Sequence, residues 1–431
     1  MNPHAHDITR RGFLAGSFAA GAGLALSPWP LRAAETKPKK KLAVVTTEWR
    51  YHSHAWHMAE RFLTGYPING KWHHPPFEVV TAYVDQFPDN DLSRGRAAEF
   101  GFEITPTIAE ALRNGKDKID VDAVLIIGEH GKYPKSEYDQ TKYPRYEFFK
   151  AVTDVFAEDG KVLPVFNDKH LSWKWDWAKE MVDIAREREI PFLAGSSLPV
   201  TWRMPSIDLP YGAEVEEIMC VAMGGVDSYD FHALETMQCM AERRKGGETG
   251  VVWLQALRGD DVWEAMNAGP WKSGGWDPQL FEACLSRSQT LAQPESYSHR
   301  YPTPQQMREW VKSPVAYRFE YADGLKGTML LMNGLVNDFN FAAKLKGQKE
   351  PLSTLFYLPP NPNVVYSAAL MSNAEKTFLT GKPSYPVERT LLTGGLVEAG
   401  MQSLAKGSKK LETPHLAVEY QVPDETLFWV S

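Results

Sequence analysis

Three histidines crowd the stretch VVTTEWRYHSHAWH, Val44 to His57: His52, His54 and His57. Positions 54 and 57 fall on one face of a helix that starts at Ser53, and neutral imidazole is a common ligand for divalent metals. No carboxylate or further histidine stands at ligand spacing nearby, so helix capping and packing is the favoured reading and a metal site the minority one. A second group, Glu129 and His130 before the flexible Gly131, sets an acid and a base side by side. A third is Asp168–Lys169–His170. An amine between a carboxylate and an imidazole can hold a substrate hydroxyl or oxyanion, and its pKa falls if it is desolvated beside His170. The plainer alternative is a salt bridge from Lys169 to Asp168. His232 opens a later helical stretch and is a candidate acid/base group, or else a packed core histidine. Trp49 and Tyr51, inside the histidine loop, are candidate platforms for a ligand ring. Trp173, Trp175 and Trp177 beside the lysine read mainly as packing.

Most of these groups follow apolar runs, and that places them. Leu42–Thr47, Phe77–Val84, Val121–Gly128, Val162–Phe166 and Phe192–Gly195 read as strands. Helical spacing covers residues 54–64, 93–99, 108–114, 148–159 and 173–188. Strands alternating with helices predict a doubly wound parallel sheet, whose ligands lie at the carboxyl ends of the strands. Those ends are Thr46–His54, Asp85, Glu129–Tyr133 and Asn167–His170. After Pro205 the pattern changes to alternating segments, Glu217–Met223, Val315–Tyr321 and Gly327–Met332, with a hairpin signal at Ala322–Leu325. Helices over 233–243 and 390–406 complete an α+β domain with an open, mainly antiparallel sheet. The fold class is therefore α/β, Rossmann-like, with a signal at 1–34, a first domain at 35–205 and a second at 206–431.

The 431 residues, 43% hydrophobic, suffice for a large core in two domains, and the net charge of −7 lies without long single-sign blocks. That argues against nucleic acid or an anionic membrane as partner. Cys220, Cys239 and Cys284 lack the paired spacing of a zinc or redox motif and read as buried apolar residues. TRRGFLA, Thr9 to Ala15, followed by a short Ala/Gly/Leu run, has the organisation of a twin-arginine export signal. Its run is too short to span a bilayer stably, and the expected location is periplasmic or extracytoplasmic.

With these strings in view, the chain resembles the glucose-fructose oxidoreductase and inositol dehydrogenase family (Gfo/Idh/MocA). VFNDKHLS, Val165 to Ser172, stands where that family carries Glu-Lys-Pro followed by Leu and a small residue. Lys169 falls on the family lysine, Asp168 on its glutamate, and His170 replaces its proline. RAAEFG, Arg96 to Gly101, is similar to a family helix. GGVDSYDFHALE, Gly224 to Glu235, resembles Gly-Gly-x-x-x-Asp-x-Gly-x-His-x-x-Asp, with His232 on the histidine and Glu235 on the last acid. Ser228, between Asp227 and Asp230, stands where the family has an aspartate.

The resemblance implies hydride transfer between a small carbohydrate or polyol and NAD or NADP. Lys169 would polarise the reacting oxygen, with Asp168 beside it, and His232 would act as acid/base from the same cleft. The cofactor would meet Thr46, Thr47, Ser53, His54, Asp85, Glu129 and His130, and the family leaves room for a homo-oligomer. Asp85 would accept a ribose diol, or is simply a turn aspartate. One departure stands out. The family's Gly-x-Gly-x-x-Gly, which lets a pyrophosphate approach the backbone, is here TEWRYHSH, Thr47 to His54, without a glycine. Ser53 can still cap a helix start. The loop is read as a remodelled nucleotide turn whose side chains fill the room normally left for phosphates. Two other functions keep the cleft and drop the redox step: elimination or hydrolysis on a keto-sugar, and non-catalytic sugar binding.

Overall fold

The computed structural model describes residues 38–298 and 300–430. The twin-arginine stretch and its cleavage region lie outside the described residues. Six strands form a wholly parallel sheet: β1 (Lys40–Thr46), β2 (Phe77–Val84), β3 (Glu103–Thr105), β4 (Ala123–Ile127), β5 (Val165–Asp168) and β6 (Phe192–Gly195). Their order is β3-β2-β1-β4-β5-β6, with the topological switch between β1 and β4. A parallel sheet covered on both faces needs unbroken apolar strands, and every residue of β4 is buried.

The expected helix over 54–64 is two short ones, α1 (His54–Met58) and a second turn, Glu60–Thr64, that joins it at Ala59. The longer helices flanking the sheet are α2 (Arg145–Asp159) and α3 (Trp175–Glu187).

The second sheet has eight strands: β7 (Arg203–Met204), β8 (Val215–Ala222), β9 (Val251–Arg258), β10 (Val315–Tyr321), β11 (Lys326–Leu331), β12 (Phe339–Leu345), β13 (Leu352–Phe356) and β14 (Leu411–Glu412). Their order is β14-β9-β10-β11-β8-β12-β13-β7. The sheet is mainly antiparallel, and β10 and β11 are joined by the anticipated hairpin. The segments containing Glu217 and Gly327 pair in parallel, so the sheet is mixed rather than purely antiparallel. Period-two alternation assigns its faces. Ile218, Cys220 and Ala222 belong to one core with residues of helices α4 (Tyr229–Ala241) and α6 (Glu388–Ala405), while Met219 and Val221 belong to another with Trp263, Leu280 and Phe281. All three cysteines are free and buried.

Helix α5 (Tyr366–Thr380) comes from the second half of the chain yet packs on the first sheet, with Ala369, Leu370, Met371 and Phe378 in one core with Val44, Phe77 and Leu193. Among the described residues, no helix is long and apolar enough to cross a membrane.

Candidate functional site

At the carboxyl ends of the first sheet lies a cavity of about 590 Å³, closed on its far side by the second sheet. His54, Glu129, His130, Asp168, Lys169 and His232 all border it. Three strand-end loops deliver all of these but His232, which comes from helix α4, and each loop turns through a left-handed, non-glycine residue: His52 (φ 60°), His130 (φ 72°) and Lys169 (φ 60°). Such conformations are costly away from glycine and concentrate where a structure aims side chains for a purpose. At Lys169 the turn is held by its own amide, which donates to the Gly195 carbonyl at the end of β6 (3.0 Å).

Asp168 and Lys169 do not pair with each other. The Asp168 carboxylate engages His54 Nδ1 at 2.6 Å, and Lys169 Nζ donates to Glu129 Oε1 at 3.2 Å. Glu129 in turn takes an ion pair from Arg145 Nη2, and the Arg145 side chain is wholly buried. Burial alone would raise the Glu129 pKa. The adjacent Lys169 and Arg145 cations outweigh it and hold the carboxyl well below the ordinary range. Glu129 is therefore a fixed anion that sets the amine, not a proton shuttle. His170, expected beside that amine, points away from it: its ring lies against Phe231, with Nε2 at 3.0 Å from Arg145 Nη1. No sequence signal marked Arg145; the helix expected over 148–159 begins three residues earlier and includes it.

The imidazoles cluster. His54 lies 4.7 Å from His57 and 5.0 Å from His130, centroid to centroid. Burial, then the neighbouring His54, pushes His57 well below its usual pKa and His130 down to about 3. His232 is lowered by burial and then by Lys169. Neutral rings can both donate and accept. Buried polar atoms without a partner are rare, yet His57 Nδ1, His130 Nε2, His232 Nδ1 and Asp168 Oδ1 have none among the described residues, and all belong to side chains on this cavity. Among the described residues, no three ligand-type side chains stand in metal-ligating geometry.

The other expected cofactor residues are elsewhere. Thr46 and Thr47 are buried, their hydroxyls donating to the carbonyls of Ile127 (3.0 Å) and Glu129 (2.6 Å), so they tie β1 to β4 and do not border the cavity. Ser53 Oγ is used within its own turn, accepting from the amides of Arg50 (3.0 Å) and Trp56 (3.4 Å). Asp85 is away from the cavity and accepts from Tyr83 (2.9 Å) and Tyr133 (2.6 Å). Trp49 is a core residue stacked on Phe102, not a ligand platform, and exposed Tyr51 packs on His52 and Trp56. Trp173 and Trp177 pack on each other, away from the cavity.

A dinucleotide laid across this switch point would need an open, amide-lined turn. The residues present do not fit that pose. Trp49 fills the turn, α1 is five residues long, and its cap is already occupied. The loops after β2 and β4 are also knitted together over the end of β1. Lys132 N donates to Gln86 Oε1 (2.9 Å), Gln86 Nε2 donates to the Lys132 carbonyl (3.2 Å), and Gln86 N donates to the Thr47 carbonyl (2.7 Å).

No family model and no curated protein matches the sequence. Solved structures share the fold. GenD2 from gentamicin A biosynthesis, determined with NAD, is 13% identical with a TM-score of 0.53 over 90% of this chain and 99% of its own. The scyllo-inositol dehydrogenase of Lactobacillus casei is 10% identical, TM-score 0.51, over 87% and 98% of the two chains. The myo-inositol dehydrogenase of the same organism, determined with NAD(H) and myo-inositol, is 11% identical, TM-score 0.50, over 90% and 99%. These neighbours are Gfo/Idh/MocA-type sugar and inositol dehydrogenases, and this chain has their fold.

Proposed function

We propose that this chain is an exported enzyme acting on a sugar or polyol at the strand ends, an oxidoreductase of the sugar and inositol dehydrogenase kind. The observation that supports it most is the cavity lining: one ammonium, one carboxylate–imidazole pair and several unpartnered ring nitrogens on a single space. A ligand dense in hydroxyls, each both donor and acceptor, can satisfy such a set.

The chain's own groups supply the proton chemistry. Asp168 takes the Nδ1 hydrogen of His54, which leaves Nε2 as the basic nitrogen and stabilises the ring once it is charged. His54 is thus the residue that removes a hydroxyl proton, and His232 is a second acid/base group on the same space. Lys169, held by Glu129, offers its remaining ammonium hydrogens to the reacting oxygen and favours it as an alkoxide. NAD or NADP is the cofactor the fold brings with it. The turn after β1 gives its diphosphate no bed, so a dinucleotide would have to lie otherwise than across that turn.

That filled turn after β1 favours a second reading in which the same groups work without hydride transfer. Removal of a proton next to a carbonyl by His54 or His232, with Lys169 on the enolate oxygen, and loss of the β-oxygen substituent as an alcohol or water protonated by the other imidazole would give elimination on a keto-sugar. Export rests on the Arg10–Arg11 pair and the apolar run behind it.

Incubation with polyols and sugars in the presence of NAD or NADP tests the reading. Oxidised product with matching nicotinamide reduction is expected, and Lys169→Ala should abolish it while the protein stays folded. Calorimetry showing no dinucleotide binding, together with an eliminated or hydrolysed product, would replace it with the second reading. A sugar that raises Tm without any turnover would leave a binding protein. For export, Arg10→Lys with Arg11→Lys should trap the protein in the cytoplasm; unchanged fractionation would overturn it.

A further inference from the structure

The cavity has more room than one polyol uses. Its roughly 590 Å³ equals about twenty water molecules at ~30 Å³ each, whereas a six-carbon polyol has about twelve heavy atoms. The histidines and Lys169, the inner end, are only part of its lining; Tyr229, Gln289, Thr290, Asn337 and Asp338 of the second domain border it too, and that part is called the outer end. The outer end has its own construction.

Three loops of the second domain build that end and are locked to one another. Asn333 clamps Gly224 at two points, Oδ1 accepting from its amide (2.7 Å) and Nδ2 donating to its carbonyl (2.8 Å). Asp338 accepts from the Gln289 amide (2.9 Å) and the Ser288 hydroxyl (3.0 Å), and Thr290 Oγ1 accepts from the Asn337 amide (2.7 Å). Gly224, at φ 102°, has no Cβ because one would sit 2.1 Å from the Tyr229 ring. That ring is thereby laid flat over the backbone, nearly parallel to Phe339 (12°), 38% exposed, at the boundary between His232 and the outer end. Asn337 is exposed, and its side-chain amide is hydrogen-bonded to no described residue, so a ligand need displace only water from it.

A half-exposed aromatic ring and an uncommitted amide on one cavity, carried by loops that are tied together before any ligand arrives, are what a second sugar ring would meet. Resting on the reading that the inner end takes a sugar or polyol, we propose that the outer end is a second carbohydrate subsite. The substrate is then a glycoside of at least two rings, with the reacting ring at Lys169 and the other against Tyr229, Gln289 and Asn337.

Calorimetric titration of the full chain with myo-inositol and glucose, and with maltose, cellobiose and trehalose, tests this. At least one disaccharide should bind about tenfold more tightly than glucose, the worth of one or two added contacts. Asn337→Ala and Tyr229→Ala should erase most of that advantage and leave glucose affinity within about twofold. Single-ring ligands binding as well as every disaccharide, or both variants weakening the two classes alike, would overturn the second subsite while leaving the inner one intact. Binding by neither class would remove the sugar reading itself.

Discussion

At the scale of single residues, the site separates groups that face ligand from groups that only hold them. Asp168 is the clearest holder that also borders the cavity: its contact with His54 fixes which imidazole nitrogen is basic. Asp168→Asn keeps the shape and reverses the hydrogen-bond preference. It should lower kcat by about two to four orders of magnitude with a small change in KM, read from steady-state kinetics on whichever sugar is turned over.

Glu235 behaves differently. It sits behind the cavity, accepting from the amide (2.7 Å) and hydroxyl (2.6 Å) of Ser196, and burial pushes its carboxyl up to about 7. The folded state therefore binds this proton more tightly than the unfolded chain, whose glutamate titrates near about 4.3. Its stabilising effect is complete below that value and is lost as pH rises through about 7, a decline of about 4 kcal/mol. Denaturant unfolding at pH 5 and pH 8 should show this slope. Glu235→Gln should flatten it, and an unchanged slope would assign the pH dependence elsewhere.

At the scale of elements, the strand ends are legible and their meeting is not. Phe77–Val84, Phe192–Gly195 and Val315–Tyr321 form strands with the bounds their apolar runs suggest, because burial on both faces or strict alternation writes itself into sequence. Lys169 and His232 were recognisable for the same reason, as polar residues at the edge of such runs or at a helix start. The parallel pairing of β8 with β11, the strand β9 and helix α5 were missed, since pairing partners and the face a helix covers depend on distant chain. Arg145 was missed too: a buried arginine is defined by its partners, Glu129 and His170, which lie 16 and 25 residues away.

That arginine gives an element-scale test. It sits at the start of α2 under the end of β4, so close that a Cβ on Gly128 would lie 2.7 Å from its Cγ. Arg145→Met leaves Glu129 buried with one cation fewer and should cost about 3–5 kcal/mol in unfolding free energy. Adding Glu129→Gln should recover part of that loss, a non-additivity that a mere packing defect would not show.

At the scale of the whole molecule, the two sheets are not separable modules, and the cavity depends on that. Helix α5 returns from the second half to cover the first sheet, where Ser367 Oγ donates to the His57 carbonyl (2.5 Å) and Glu375 accepts from Tyr66 (2.6 Å). Helix α6 does the same on the other side: Thr390 Oγ1 donates to the Ala194 carbonyl (2.9 Å), and Glu398 accepts the Trp175 amide (2.5 Å). One hydrophobic cluster runs from Val45 and Val165 through Phe231 to Met329 and Leu396. A chain cut at residue 205 would expose the α5 face of the first sheet, with Val44, Phe77 and Leu193 uncovered. Each such side chain is worth about 1.5–3 kcal/mol when buried, so a few of them equal the stability of an ordinary domain. Residues 38–205 alone should therefore fail to fold cooperatively. The intact chain should melt in one calorimetric transition, its van't Hoff and calorimetric enthalpies agreeing. Two well-separated transitions would mean that the halves fold independently and that the cavity between them can open without unfolding either.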